Sequence, residues 1–380
     1  MTDFQHIVTF IKDLYKKDII PLHEPRFIGN EKKYLAECVE STFVSYVGKF
    51  VTQFEESVQQ FTGSKYAVAT VNGTSALHIA LSLAGVKKGD EVLAPALTFV
   101  GSINPISYLG AEPFFVDCEK ETLGMCPVKL EEFLEKETTF GDGVRINKKS
   151  GKRISACIVV HVFGHPAKVD KIKGVCDRYN IELVEDAAES LGGWYKSKHT
   201  GTFAKIGILS FNGNKIVTTG GGGMIITDDE DMAKLARHVT TTAKLPHKWE
   251  FIHDCVGYNY RMPNINAAIG VAQMECLDRF LQNKRELTNI YRNFFIKMDV
   301  PFFVEKENCR SNYWLNMLFL RDRQERDLFL DFTNSNGVMT RPSWRLMNKL
   351  PMFNDCGSTN LDNAEWVEER AVNIPSSVRI

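Results

Sequence analysis

One stretch, Val184 to Asp228, sets a carboxylate, a lysine and a hydroxyl near the ends of strand-like runs. Asp186 follows the apolar run Ile181 to Val184, and Lys215 follows a second run, Ile206 to Phe211, that includes Ser210. Gly220 to Gly223 then lead into a third run, Met224 to Thr227. A lysine on an irregular turn can form a Schiff base with an aldehyde. A carboxylate can keep a pyridine nitrogen protonated, so that the ring withdraws electrons. With a hydroxyl and a flexible glycine track added, the set is what a pyridoxal phosphate site requires. The lysine must also be neutral part of the time, which partial desolvation beside a cationic ring favours.

Other residues read two ways. Gly73-Thr74-Ser75 lies between a strand, Tyr66 to Val71, and a helix, Ala76 to Ala84. Amides and hydroxyls at a helix start suit a phosphate, yet many such turns bind nothing. Asp186 is equally a helix N-cap, with Glu189 its capping-box partner or a cofactor contact. Phe99, on a loop after Pro95, either stacks on an aromatic ring or belongs to the core. His161 and His165 read as packed or capping histidines, neither having a metal-ligand partner at suitable spacing.

These groups need a rigid frame. Strand and helix patterns alternate from Tyr66 to Thr227, which specifies an α/β fold with a mostly parallel sheet covered on both faces. Ligands bind such sheets outside the carboxyl ends of the strands, where the polar motifs fall. At 380 residues the chain exceeds one core. The expected division is a helical extension at 1–25, a large domain at 26–245 and a small C-terminal α+β domain at 246–380. A helix Val100 to Tyr108 and a continuous helix from Ile265 through Lys284 to Phe295 are expected, with Thr138 to Arg153 a solvated hairpin or loop.

A formal net charge of -1 gives no reason to expect nucleic acid or an anionic membrane as partner. No apolar stretch approaches a membrane span, and the opening residues do not read as a signal peptide. The 9 scattered cysteines form no CxxC pair, which suits buried thiols in a reducing cytoplasm.

Asn72 to Leu77, the HVFGHP run from His161 to Pro166, Glu185 to Ala188, SFNGNK (Ser210 to Lys215) and GYNYRMPNINAAIG (Gly257 to Gly270) together resemble the DegT-type nucleotide-sugar aminotransferases. The resemblance runs from about Pro21 to the C-terminus. It implies fold type I, with pyridoxal 5'-phosphate as cofactor and its pyridoxamine form between half-reactions. Lys215 then matches the Schiff-base lysine, Asp186 the pyridinium partner, and Gly73, Thr74, Ser75 and Ser210 the phosphate cradle. Phe99 matches the stacking ring, and Glu189 stands where most members carry glutamine. Asn259 matches a residue that reaches the cofactor phosphate of a neighbouring subunit, implying a homodimer with shared sites. Arg261 is placed in that shared site, and Lys49, Arg341 and Trp344 are candidates for the substrate pyrophosphate. A lysine at 215 argues against the sugar-dehydrase branch, where a histidine stands.

The openings PLHEPRFIGNEKKY and STFVSYVGKFV resemble the subgroup serving bacillosamine or legionaminic acid. That implies transfer of an amino group from L-glutamate to C4 of a UDP-4-keto-6-deoxy-N-acetylhexosamine. A GDP-4-keto-6-deoxymannose aminotransferase shares every cofactor residue, and a non-catalytic regulatory member is the third reading.

Overall fold

The computed structural model describes residues 2–379. Its main sheet is built from β1 (Tyr66–Thr70), β2 (Glu91–Pro95), β3 (Glu112–Val116), β4 (Arg153–Val160), β5 (Glu182–Asp186), β6 (Ile206–Ser210) and β7 (Gly223–Thr227). The spatial order is β1-β7-β6-β5-β4-β2-β3. All neighbouring pairs are parallel except the two that involve β7, which runs against β1 and β6. The 138–153 stretch forms a hairpin, Thr138–Gly141 against Val144–Asn147, whose second arm joins the start of β4.

Burial explains why these short apolar runs form a sheet. In β2, Val92 and Ala94 enter one core cluster while Leu93 enters another; in β4, Ile158 and Val160 separate from Cys157 and Val159 in the same way. Successive side chains therefore fill opposite faces, both covered. A third cluster joins the first helix, α1 (Phe4–Tyr15), to the C-terminal part of the chain. Ile7, Val8 and Ile11 pack with Leu287, Tyr291, Phe295, Phe329, Val372 and Ile374. The small sheet there has Ala371–Ile374 at its centre, between Asn316–Phe319 and Arg341–Pro342.

Several elements depart from the sequence reading. Val100 to Tyr108 is a 3-10 turn, Val100–Ser102, followed by a separate helix, Asn104–Tyr108, because Pro105 sits in the first turn of that helix. The long helix is two, Asn264–Glu275 and Leu277–Lys297, divided at Cys276, whose ψ of -3° leaves helical geometry. The central small strand, Ala371–Ile374, has only four residues and follows a charged helix, so it carried little signal.

α2 (Glu31–Ser41) and α3 (Lys49–Thr62) cover the helix Asn264–Glu275. One buried ion cluster ties α3 to the sheet. Glu55 accepts from the Ala69 amide at 2.8 Å, from Arg261 at 2.8 Å and from Arg237 at 2.8 Å. Glu55→Ala would strand the Arg261 guanidinium, 4% exposed at its side chain. We expect a loss of about 3–5 kcal/mol in stability, read from chemical unfolding, with little change from the conservative Arg237→Lys at the exposed partner.

Candidate active site

The chain turns at the carboxyl ends of β1, β2, β5 and β6, and those turns line a cavity of about 310 Å³. Two surface grooves are larger, at about 650 and 810 Å³. The smaller cavity is the candidate site because convergent reactive groups, and not volume, define one.

Lys215 sits on the connection between β6 and β7. That connection is braced by Lys215 N–H to Asn212 O (2.9 Å), Phe211 N–H to Gly222 O (2.8 Å) and Thr219 N–H to Phe211 O (2.9 Å). The second half of the expected flexible glycine track, Gly222 and Gly223, is tightly packed, while Gly220 and Gly221 are not. A Cβ on Gly223 would lie 2.4 Å from the Asn72 carbonyl group, and of these four glycines only Gly220 has a positive φ. The Lys215 amine lies 3.4 Å from Glu189 Oε1 and 3.7 Å from the centre of the Trp314 ring. Ammonium over an indole face is favourable.

Asp186 ends β5, buried at 3% exposure. It caps no helix, since a tight turn follows. Its Oδ1 accepts the Ala188 amide at 3.0 Å, and its Oδ2 accepts the Ser102 hydroxyl at 2.7 Å. Thr98 donates to Ser102 in turn at 3.1 Å. Burial pushes the Asp186 carboxyl above its ordinary range, and the Ser102 and Ala188 bonds work against that push. Glu189 is neither a cap nor a surface residue. Burial pushes its carboxyl up to about 6, opposed by Lys215 and by the Phe163 amide, which donates at 2.8 Å.

α4 (Gly73–Leu83) starts against β6. Asn72 caps it by accepting the Ser75 amide at 2.7 Å. Gly73 and Thr74 line the cavity, and first-turn amides lack intrahelical acceptors. A Cβ on Gly73 would meet the Ser210 Cβ at 2.9 Å, so this approach of helix to strand needs glycine. Ser210 lines the cavity, whereas Ser75 does not: its amide is capped and its side chain is buried. Phe99, 54% exposed, stands over the cavity with its ring 6.4 Å from that of Trp344, which stacks on Phe163 at 4.3 Å.

Four expected contacts lie elsewhere. Arg261 faces the protein interior, held by Glu55 and by the Ala69 carbonyl at 2.9 Å, because its buried charge demands a partner. Lys49 pairs with Glu37 at 2.6 Å in a surface groove. Arg341 bonds Asn334 Oδ1 at 2.9 Å and the Thr340 carbonyl at 2.8 Å, outside the cavity. Asn259 is exposed in a bridge with Thr241 and does not reach the cavity of its own chain. Ser102, Asn212, Asn214 and Trp314 were missed. Ser102 lies three residues after Phe99 on the same loop, a detectable signal, but Trp314 is distant in sequence and had none. His161 is structural: it accepts the Ala167 amide at Nδ1 (3.0 Å), so Nε2 carries the proton and donates to Glu185 (2.8 Å).

An amine, a buried carboxylate, a helix start with hydroxyls and flanking aromatic rings fit a phosphorylated pyridine aldehyde by the chemistry of their donors. The family model for DegT/DnrJ/EryC1/StrS aminotransferases matches residues 25–380. The chain is 35% identical over 357 residues to GDP-perosamine synthase of Escherichia coli O157:H7, covering 94% of this chain and 93% of that protein. It is 38% identical over 341 residues to the putative pyridoxal phosphate-dependent aminotransferase EpsN of Bacillus subtilis, covering 90% and 84%. The crystal structure of the aminotransferase TlmJ from Streptoalloteichus hindustanus superposes with a TM-score of 0.85 at 25% identity, covering 94% and 93%.

Gly73→Ala would press the first turn of α4 away from Ser210. Pyridoxal phosphate affinity should fall at least roughly tenfold, a change of about 1.4 kcal/mol, in a fluorescence titration of cofactor-free protein.

Proposed function

The chain belongs to the DegT/DnrJ/EryC1/StrS aminotransferase family, and from that premise we propose that it moves an amino group from L-glutamate to C4 of a nucleotide-linked 4-keto-6-deoxy sugar. It is a sugar aminotransferase by family, and such enzymes use pyridoxal phosphate. The observation that carries the site assignment is that the Lys215 amine and the Asp186 carboxylate line one cavity.

When bound, the cofactor supplies an electron sink that stabilises negative charge at the carbon bearing the amine. The residues of this chain supply the rest. The amides of Gly73 and Thr74 and the hydroxyl of Ser210 would hold the phosphate ester, and Phe99 would cover the ring. Asp186, buried and fixed by Ser102, holds the proton on the pyridine nitrogen. Asp186 would be the residue that pairs with a protonated pyridine nitrogen, which would favour the ionised carboxylate that burial alone disfavours. The Lys215 amine, which lines the cavity, would hold and move the transferred proton at Nζ. Trp314 and Trp344 line the cavity as aromatic walls, Trp314 against the Lys215 amine.

The active unit is a homodimer with Asn259 serving the partner's site. Supporting this are its exposed position and the exposed apolar residues Phe43, Val44, Tyr46, Val47, Trp249, Phe251, Ile252 and Val256 on the nearby loops.

For the substrate, the name of the Escherichia coli relative supports GDP-4-keto-6-deoxymannose. The UDP-4-keto-6-deoxy-N-acetylhexosamine reading has its own support in the opening stretch Pro21 to Val51, which resembles that subgroup. Among the described residues no helix is long and apolar enough to cross a membrane, which suits an enzyme acting on such nucleotide sugars before they reach one.

Single-turnover mixing decides the substrate. Protein loaded with pyridoxamine phosphate should regain the visible absorbance of the aldehyde form with the GDP sugar. Return with the UDP sugar alone would replace that reading by the second, and return with neither would overturn amino transfer to these sugars. Lys215→Ala should slow the exchange by roughly 10²–10⁴-fold in the same assay, because the proton then lacks its carrier. Ser102→Ala should weaken cofactor binding by about tenfold, as Asp186 loses the bond that favours its charged form.

A further inference from the structure

The two oxygens of Glu189 are committed differently. Oε2 accepts the Phe163 amide at 2.8 Å, which leaves Oε1 toward the Lys215 amine at 3.4 Å. On its other side that amine meets the Trp314 ring at 3.7 Å. The result is a berth with one anionic wall and one aromatic wall.

Both walls are fastened by one residue. Asn312 donates to the carbonyls of Glu189 and Leu191, each at 2.9 Å, and its Oδ1 accepts the Trp314 amide at 2.8 Å. The Trp314 indole N–H donates to the Asn214 carbonyl at 2.7 Å, tying this wall to the lysine turn itself. Its carbonyl accepts from the buried Lys284 at 3.1 Å. The Phe163 donor is held at a cost: φ there is +54°, a left-handed conformation that a bulky residue rarely adopts. A strained turn and a doubly anchored wall converge on one carboxylate and one amine.

Chemical type decides what this arrangement selects. An ionised carboxylate only accepts, so it can serve the Phe163 amide and an ammonium together. A glutamine of the same shape would give its oxygen to Phe163 and turn its NH₂ toward Lys215, setting donor against donor. We propose that Glu189 parks the Lys215 ammonium whenever that amine is not covalently engaged, and accepts its proton when the amine is recruited. In that transfer an N–H bond of Lys215 breaks and an O–H bond of Glu189 forms, with no other reactant. Glu189 is thus a positioning and proton-holding residue. The charged groups facing it are Lys215 and, three residues earlier, Asp186, whose charge opposes its ionisation. Held near 6 by burial, the carboxyl exchanges protons close to neutrality.

This rests on Lys215 being the reactive amine. The main test therefore needs neither sugar nor glutamate, so its failure is distinct from failure of the substrate reading. Cofactor-free full-length protein is treated with acetic anhydride across about pH 5 to 9, and acetylation of Lys215 is followed by peptide mass spectrometry, with the exposed Lys65 as reference. Wild type should label slowly, with a bend near the pH at which Glu189 ionises. Glu189→Gln should label roughly tenfold faster near pH 7 without the bend, equivalent to about 1.4 kcal/mol of lost hold on the ammonium. Trp314→Leu should label faster but keep the bend. Equal rates and profiles in wild type and Glu189→Gln would overturn the proposal.

A second arm uses the loaded enzyme. If charge is the function, Glu189→Asp retains more single-turnover rate than the isosteric Glu189→Gln. If shape alone matters the order reverses, and the proposal falls.

Discussion

The site depends on the register of three adjoining strand ends. Asp186 pairs with Ile208 and with Val160 in parallel ladders, and Ser210 pairs with Gly223 in an antiparallel one. Side chains alternate faces with a period of two, so a slip of one residue would send Asp186 or Ser210 to the wrong side of the sheet. That register is fixed by the paired ladders, and both faces of these strands are buried against core. Because β7 returns antiparallel beside β6, the connection carrying Lys215 must rise at the same edge where β5 delivers Asp186. The meeting of acid and amine is a consequence of sheet topology.

Buried charge is the second organising constraint, and the molecule meets it by giving buried charged groups hydrogen-bond partners. Glu185, next to Asp186 but on the opposite face, accepts from His161 and from the amides of Gly201, Phe203 and Ala204. Burial would raise it, yet those donors hold it below its usual range. Lys284, fully buried, donates to the carbonyls of Trp314 and Ser376, and desolvation lowers it to about 7. Asp186 and Glu189 are different. Each keeps capacity in hand toward the cavity, and burial leaves both raised. Carboxyls satisfied for stability and carboxyls left poised for chemistry thus sit within a few residues of each other.

The N-terminal extension belongs to the same economy of contacts. α1 lies ahead of the family's matched region, yet its apolar face completes the core beneath the C-terminal sheet. The strap that follows runs beside the chain's end, where the Glu24 amide meets Ser377 and Arg26 meets the Val378 carbonyl. That tail also receives Lys284, which supports the Trp314 wall of the cavity.

Much of this was legible in the residues alone. Alternating apolar runs specified the sheet and its two covered faces, and strand ends rich in polar residues marked Asp186, Ser210, Lys215 and the Gly73–Thr74 turn. Those signals are local: periodicity, a turn, a reactive side chain after a strand. What sequence left undecided was every contact between distant segments. Arg261, Lys49 and Arg341 were read as site residues from motif position, but their charges are drawn to Glu55, Glu37 and Asn334. Trp314 and Asn312 were invisible because nothing local ties them to Lys215. Whether Glu189 capped a helix or faced the amine also turned on tertiary structure, since only the folded chain brings Phe163, Trp314 and Lys215 around it. Local propensity writes the elements, while side-chain partners are chosen by the need to satisfy charge and hydrogen bonds in three dimensions.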